Sequence, residues 1–144
     1  MKKIIFAGII LILALMIYAY LNNFYSPKIS FDGQPVFIDV AITPSQITRG
    51  LSSRPMMKND HGMLFVFANR DYRPFWMKDM KFPLDFVWLD GTRVVDLTRN
   101  VPILTDGTWT VIRPNAQVDR VLEVNAGTID RLHITTASSV KYNK

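Results

Sequence analysis

One apolar stretch, FWMKDMKFPLDFVWL from Phe75 to Leu89, governs how this chain can fold. It carries two of the three tryptophans and sets Lys78, Asp79, Lys81 and Asp85 among residues that belong in a core. Charges in such a run must be paired, turned to an exposed face, or used chemically, because an unpaired buried ion is very costly. Pro83 divides the stretch into two strand-length pieces, Phe75 to Met80 and Leu84 to Leu89. Asp90-Gly91 then reads as a tight turn into Thr92 to Leu97, which makes Leu84 to Leu97 a β-hairpin.

The surrounding pattern is also that of a sheet. Val36 to Ile42, Gly62 to Phe67, Thr108 to Arg113, Gln117 to Val124 and His133 to Thr136 are further strand candidates. Thr43 is an N-cap with Pro44 at the first helical position and Gln46 three residues on, the spacing of a capping box, so a short helix follows. Thr128 opens a second helical turn. The expected architecture is α+β and mostly antiparallel: six to eight short strands in a barrel-like or sandwich sheet, with one or two short helices.

An N-terminal transmembrane helix precedes this unit in the same expectation. Ile4 to Leu21 is uncharged, and its eighteen residues give roughly 27 Å of helix, close to the thickness of a bilayer core. Lys2 and Lys3 lie before it and Tyr18, Tyr20 and Tyr25 at its far end, which orients the rest of the chain away from the cytoplasm. The run is longer than a signal peptide's apolar region and lacks small residues at its end, so an uncleaved anchor is favoured over a cleaved signal. The resulting division is an anchor or signal segment at 1–25, a linker at 26–35 and a compact β-rich domain at 36–144.

Composition narrows the chemistry. Without cysteine there is no disulfide, thiolate nucleophile or cysteine metal site, and His61 and His133 are too far apart in sequence to suggest a zinc site. The formal net charge of +5 drops to +3 once Lys2 and Lys3 are set aside, and the remaining charges are interspersed. No nucleic-acid partner is expected, therefore, and no cofactor. Asp79, Asp85 and Glu123 lack the spacing of a calcium loop, and the methionines lack a tight copper-binding array, so no metal is expected either.

Four segments in order, RGLSSRPMM (Arg49 to Met57), HGMLFVF (His61 to Phe67), FWMKDMKFPLDFVWLD (Phe75 to Asp90) and VLEVNAG (Val121 to Gly127), resemble the bacterial and archaeal family catalogued as domain of unknown function 192. The resemblance covers nearly all of Pro35 to Thr136. It implies a compact β-rich domain, often exported, and brings no agreed reaction with it. One departure is local: after Trp76-Met77-Lys78 the family commonly has Asn-Thr, where this chain has Asp79 and Met80.

Strand alternation suggests a site. With regular strands, Trp76 and Lys78 share a face, and so do Val121, Glu123 and Asn125. Arg49, Trp76, Lys78, Asp85, Glu123 and Asn125 are the candidate ligand-binding residues: an indole wall, two cations for a carboxylate or phosphate, and polar groups for hydrogen bonds. The competing reading is plain packing, with Lys78 neutralising Asp85 or Glu123 in a small core. His61, at a loop-to-strand junction, is expected to hydrogen-bond backbone or a nearby acid rather than act as a base.

The functional expectation is a membrane-anchored, extracytoplasmic domain, periplasmic or at the cell surface. It binds a small envelope ligand, a glycan or peptide fragment, or a protein partner, without catalysis. The alternative is a hydrolase-type enzyme with Asp85 and Glu123 as an acid/base pair. A third reading is an accessory subunit docking through an exposed patch of Phe75, Phe82 and Trp109.

Overall fold

The computed structural model describes residues 8–18 and 27–143. A helical segment α1 (residues 8–18) comes first. It is followed by β1 (Lys28–Phe31), β2 (Gln34–Ala41), α2 (Pro44–Arg49), β3 (His61–Asp71), β4 (Phe75–Trp76) and β5 (Leu84–Asp90). The chain continues through β6 (Arg93–Val101), β7 (Val111–Ile112), β8 (Val118–Asn125), α3 (Thr128–Arg131) and β9 (Val140–Asn143). The fold is a mostly-β α+β one, built on a curled, half-barrel sheet of seven strands.

The expected membrane segment, residues 4–21, lies partly outside the described residues; within it, residues 8–18 are helical with exposed side chains. Among the described residues no helix is long and apolar enough to cross a membrane.

The strand order is β6-β5-β8-β3-β2-β1-β9, with β4 and β7 paired separately. Every pairing is antiparallel except β2 with β3, whose connection is long enough to carry α2 across one face. Thr43 and Gln46 form the capping box that starts α2, and Gly50 ends it. β5 is buried along almost its whole length, because it lies between β6 and β8 and both its faces are covered. Leu84, Phe86 and Trp88 point into one apolar cluster with Leu51, Phe65, Phe75 and Met80. Val87 and Leu89 point into the other, beside Ile29, Phe31 and Ile129 of α3. Trp88 spends its indole N–H on Thr98 Oγ1 at 2.9 Å, so the largest core side chain leaves no donor unpaired.

Several local expectations differ from the structure. Residues 28–31, read as linker, form β1 between β2 and β9. Asp32 and Gly33, at φ 50° and 86°, make a two-residue hairpin turn of the kind Asp-Gly favours, and Ile29 and Phe31 are fully buried. Phe75 to Met80 is a strand only at Phe75–Trp76, and Asp79 then takes φ 57°. The last strand is Val140–Asn143 rather than His133 to Thr136, where His133 itself turns through φ 52°. The β5–β6 loop is Gly91-Thr92, one residue later than read, since Asp90 pairs with Arg93. Tyr142 of β9, at one margin of the sheet, donates its hydroxyl to the Gly91 carbonyl at the other, at 2.8 Å.

Candidate functional site

The cleft lies on the α2 face of the sheet. β3 supplies Phe65 and Phe67, β4 supplies Phe75 and Trp76, and β8 supplies Glu123 on the floor. α2 and the residues after it close one side with Ile47, Arg49 and Leu51, while Arg73 and Met80 complete the wall. Its volume is about 180 Å³. Phe75 organises the aromatic part, standing edge-on to Phe65 at 4.9 Å, Phe67 at 6.4 Å, Trp88 at 5.7 Å and Phe86 at 5.9 Å between centroids. Ser52 Oγ donates to the Lys78 carbonyl at 3.0 Å and the Ser53 N–H to the Asp79 carbonyl at 2.9 Å, which straps the loop after α2 to the turn after β4. Asp79 and Ser53 both have positive φ at that strap. Left-handed backbone suits Asn and Asp alike, so the Asp79 departure keeps the turn and adds a charge.

Glu123 is the unusual group. It pairs across the sheet with Met63 on β3 and Phe86 on β5, so its carboxyl rises among apolar side chains. It is 5% exposed, and Oε2 has no hydrogen-bond partner. Burial pushes its pKa from an ordinary 4.5 up to about 8, against the opposing pull of the Arg54 guanidinium. At neutral pH it is therefore mainly a neutral acid, able both to donate and to accept a hydrogen bond.

Arg73 is the group that sequence reasoning missed. Its guanidinium lies 4.4 Å over the Phe67 ring, and Nη2 donates to the Asn69 carbonyl at 2.9 Å and to Asn69 Oδ1 at 2.7 Å. Nε is buried without a partner. Nothing local in Asp-Tyr-Arg-Pro marks this arginine, although the alternation of Phe65 and Phe67 in β3 does signal the wall it lies against.

Of the six candidate residues, Arg49, Trp76 and Glu123 line the cleft. The other three are placed elsewhere. Lys78 Nζ lies 5.4 Å over the Trp109 ring. Asn125 Nδ2 donates to the Met57 and Lys58 carbonyls at 3.0 and 3.2 Å, fixing the loop that leads into β3. Asp85 is 1% exposed and faces α3: Oδ1 accepts from the Asn100 N–H at 2.8 Å and Oδ2 from the Ile129 N–H at 2.9 Å. Since Phe86 is the residue opposite Glu123, Asp85 and Glu123 project to opposite faces of the sheet and do not converge as an acid/base pair. Phe75 is buried while Trp109 is exposed, so the aromatic patch proposed for docking is not one surface. His61 Nδ1 lies 2.7 Å from Asp60 Oδ1 and outside the cleft.

A second hollow, of about 470 Å³, shares Arg49 and Gly50 with the first and is lined by Asp39, Gln46, Arg54 and Met63. It is larger, and one of its two guanidiniums is already taken, Arg54 Nη1 binding Asp39 Oδ2 at 2.7 Å, while the other, Arg49, is shared with the first cleft. Among the described residues no group of three or more His, Cys, Asp or Glu is placed to hold a metal ion.

These features define a class: a half-barrel α+β domain with a buried acid at the floor of an aromatic cleft. The model of the DUF192 family, described as "Uncharacterized ACR", matches residues 28–142, and the chain belongs to that family. Among solved structures it is similar to a protein of Sinorhizobium meliloti 1021 described provisionally as a transcription regulator. The identity is 28%, over 82% of this chain and 95% of that one, at a TM-score of 0.73. It shares its fold with a protein of unknown function from Novosphingobium aromaticivorans DSM 12444, at 24% identity over 79% of this chain and 83% of that one, TM-score 0.71. A comparison with curated proteins finds no match.

Proposed function

We propose that the chain is a membrane-anchored, extracytoplasmic binding domain whose cleft takes a small ligand of the cell envelope, a glycan or peptide fragment, without chemical turnover. The observation that carries this reading is Glu123: a buried carboxyl with an unpartnered oxygen, on the floor of a cleft walled by aromatic rings. Buried polar groups are almost always hydrogen-bonded, and a buried carboxyl with a strongly raised pKa in a cleft is a functional-site candidate. Around it stand Arg49, Arg73 and Trp76, a set that recognises charge and ring faces, rather than a second carboxylate at catalytic distance. The anchor is supported by the uncharged run from Ile4 to Leu21 with Lys2 and Lys3 ahead of it.

The test uses the full chain purified in detergent. It is titrated with envelope sugars and short peptides while melting temperature is followed, alongside Trp76→Ala. Trp76 is 43% exposed, so its truncation leaves the unliganded melting temperature almost unchanged and abolishes any ligand-induced rise. A rise that survives Trp76→Ala removes the cleft from consideration.

A further inference from the structure

We infer that the cleft's ligand is a monocarboxylate on a compact apolar body, a single ring or a short branched acyl chain, with its carboxylate drawn to Arg73 and the Glu123 carboxyl. The inference rests on the reading of this cleft as a binding site and narrows it to the compact, apolar, carboxylate-bearing end of a peptide fragment, setting the glycan aside.

Size sets the body. A cavity of about 150 Å³ lined by aliphatic and aromatic side chains accommodates benzene, and this cleft offers about 180 Å³ between Ile47, Leu51, Phe65, Phe75 and Met80. Charge sets the head group. Arg49 at the rim and Arg73 in the wall are two guanidiniums with no carboxylate within ion-pair distance among the described residues. Arg73 is also held in place: Asn69 takes Nη2 and the Phe67 ring takes one face of the plane, which leaves Nε–H unpartnered inside the cleft wall. Glu123 presents the complementary unpartnered oxygen. Both atoms belong to residues that line the cleft, and a carboxylate is the group that would answer both, accepting one charge-assisted hydrogen bond from the arginine and one from the protonated acid. A hydroxyl can answer them too, but it carries no charge of its own and so gains far less from the two guanidiniums.

The arrangement ties affinity to pH. The charge that acts on Glu123 is the Arg54 guanidinium, from the loop after α2, while Arg49 of α2 and Arg73 ahead of β4 line the same cleft; directly across the strands, β3 and β5 set Met63 and Phe86 beside it. Once Glu123 ionises, a ligand carboxylate meets a like charge in a low-dielectric floor, and binding weakens.

The experiment follows the Trp76 indole N–H signal of the ¹⁵N-labelled full chain in micelles, assigned with Trp76→Phe. The probes are 3-phenylpropionate, the matching alcohol 3-phenylpropanol, and an uncharged monosaccharide. The acid is expected to move the signal and to bind at least about tenfold more tightly than the alcohol near pH 6.5. Its affinity is expected to fall at least about tenfold by about pH 9.5 in the wild type and to stay level in Glu123→Gln. Arg73→Lys keeps a positive charge, loses the Nε donor, and weakens the acid alone. If that variant loses spectral dispersion, the pH comparison between wild type and Glu123→Gln decides. Equal binding of acid and alcohol, or a wild-type affinity indifferent to pH, overturns the ligand class and leaves the cleft standing. Failure of every probe, sugar included, to move the Trp76 signal overturns the cleft as well.

Discussion

One buried carboxyl makes the stability of this fold fall between about pH 4.5 and pH 8. Because burial raises the Glu123 pKa from 4.5 to about 8, the folded protein holds a proton that the unfolded chain has released throughout that window. The native state then binds more protons than the unfolded one, so stability falls as pH rises from about 4.5 to about 8 and levels off above it. The shift corresponds to a loss on the order of 5 kcal/mol. Glu123→Gln is expected to flatten this slope and to be the more stable protein at pH 8.5, read by urea denaturation at pH 5 and pH 8.5. Identical slopes in the two proteins would show that Glu123 is not the group responsible. Gly62 makes a second test at this scale. A β-carbon there would lie 2.7 Å from the Glu123 carbonyl oxygen and 2.9 Å from Val124 Cγ1, so Gly62→Ala must push β3 away from β8. A loss of about 2–3 kcal/mol is expected in the same assay. What the sequence offered here was the alternation that puts Glu123 on a definite face. It did not disclose that the face is a cleft, because Phe65, Phe75 and Leu51 close around it only after three separate segments have packed.

At the scale of the element, short-range chemistry was readable and long-range pairing was not. The Thr43, Pro44 and Gln46 signature of α2 is local, and so is the Asp-Gly turn near the β5–β6 hairpin. β1 and β9 carry weak local patterns, and each is a strand because it pairs with the other across more than a hundred residues of chain. Asp85 is instructive in the same way. Alternation in β5 correctly separates it from Phe86, but only the fold reveals that β6 bulges opposite it and that α3 begins beside it. Its carboxylate satisfies the Asn100 N–H, where the backbone turns through φ 52°, and the first-turn Ile129 N–H of α3. Asp85→Asn keeps one acceptor and sacrifices the other, which is expected to cost about 1–3 kcal/mol. The effect should appear as a lowered melting temperature, with the proposed ligand binding at the cleft intact, since the residue faces the other cluster. Loss of binding at full stability would contradict that assignment.

For the molecule as a whole, the two apolar clusters divide the labour. The α3 side is closed and serves stability, whereas the α2 side is interrupted by the cleft and carries the exposed indole of Trp76. Stability and the proposed recognition are therefore expected to be separable by mutation. The contact between Tyr142 and Gly91 has its own consequence. The phenol, its pKa pushed up to about 12 by burial, keeps its proton at any physiological pH, so the bond to Gly91 persists. That buckle is fastened from β9, and β1, more than a hundred residues earlier, waits for the same strand to pair with it. The domain therefore cannot complete itself until β9 is free to fold back onto both. Chains cut short before β9 should remain open to protease where the longer chain resists it; equal resistance would show that the hoop closes without its clasp.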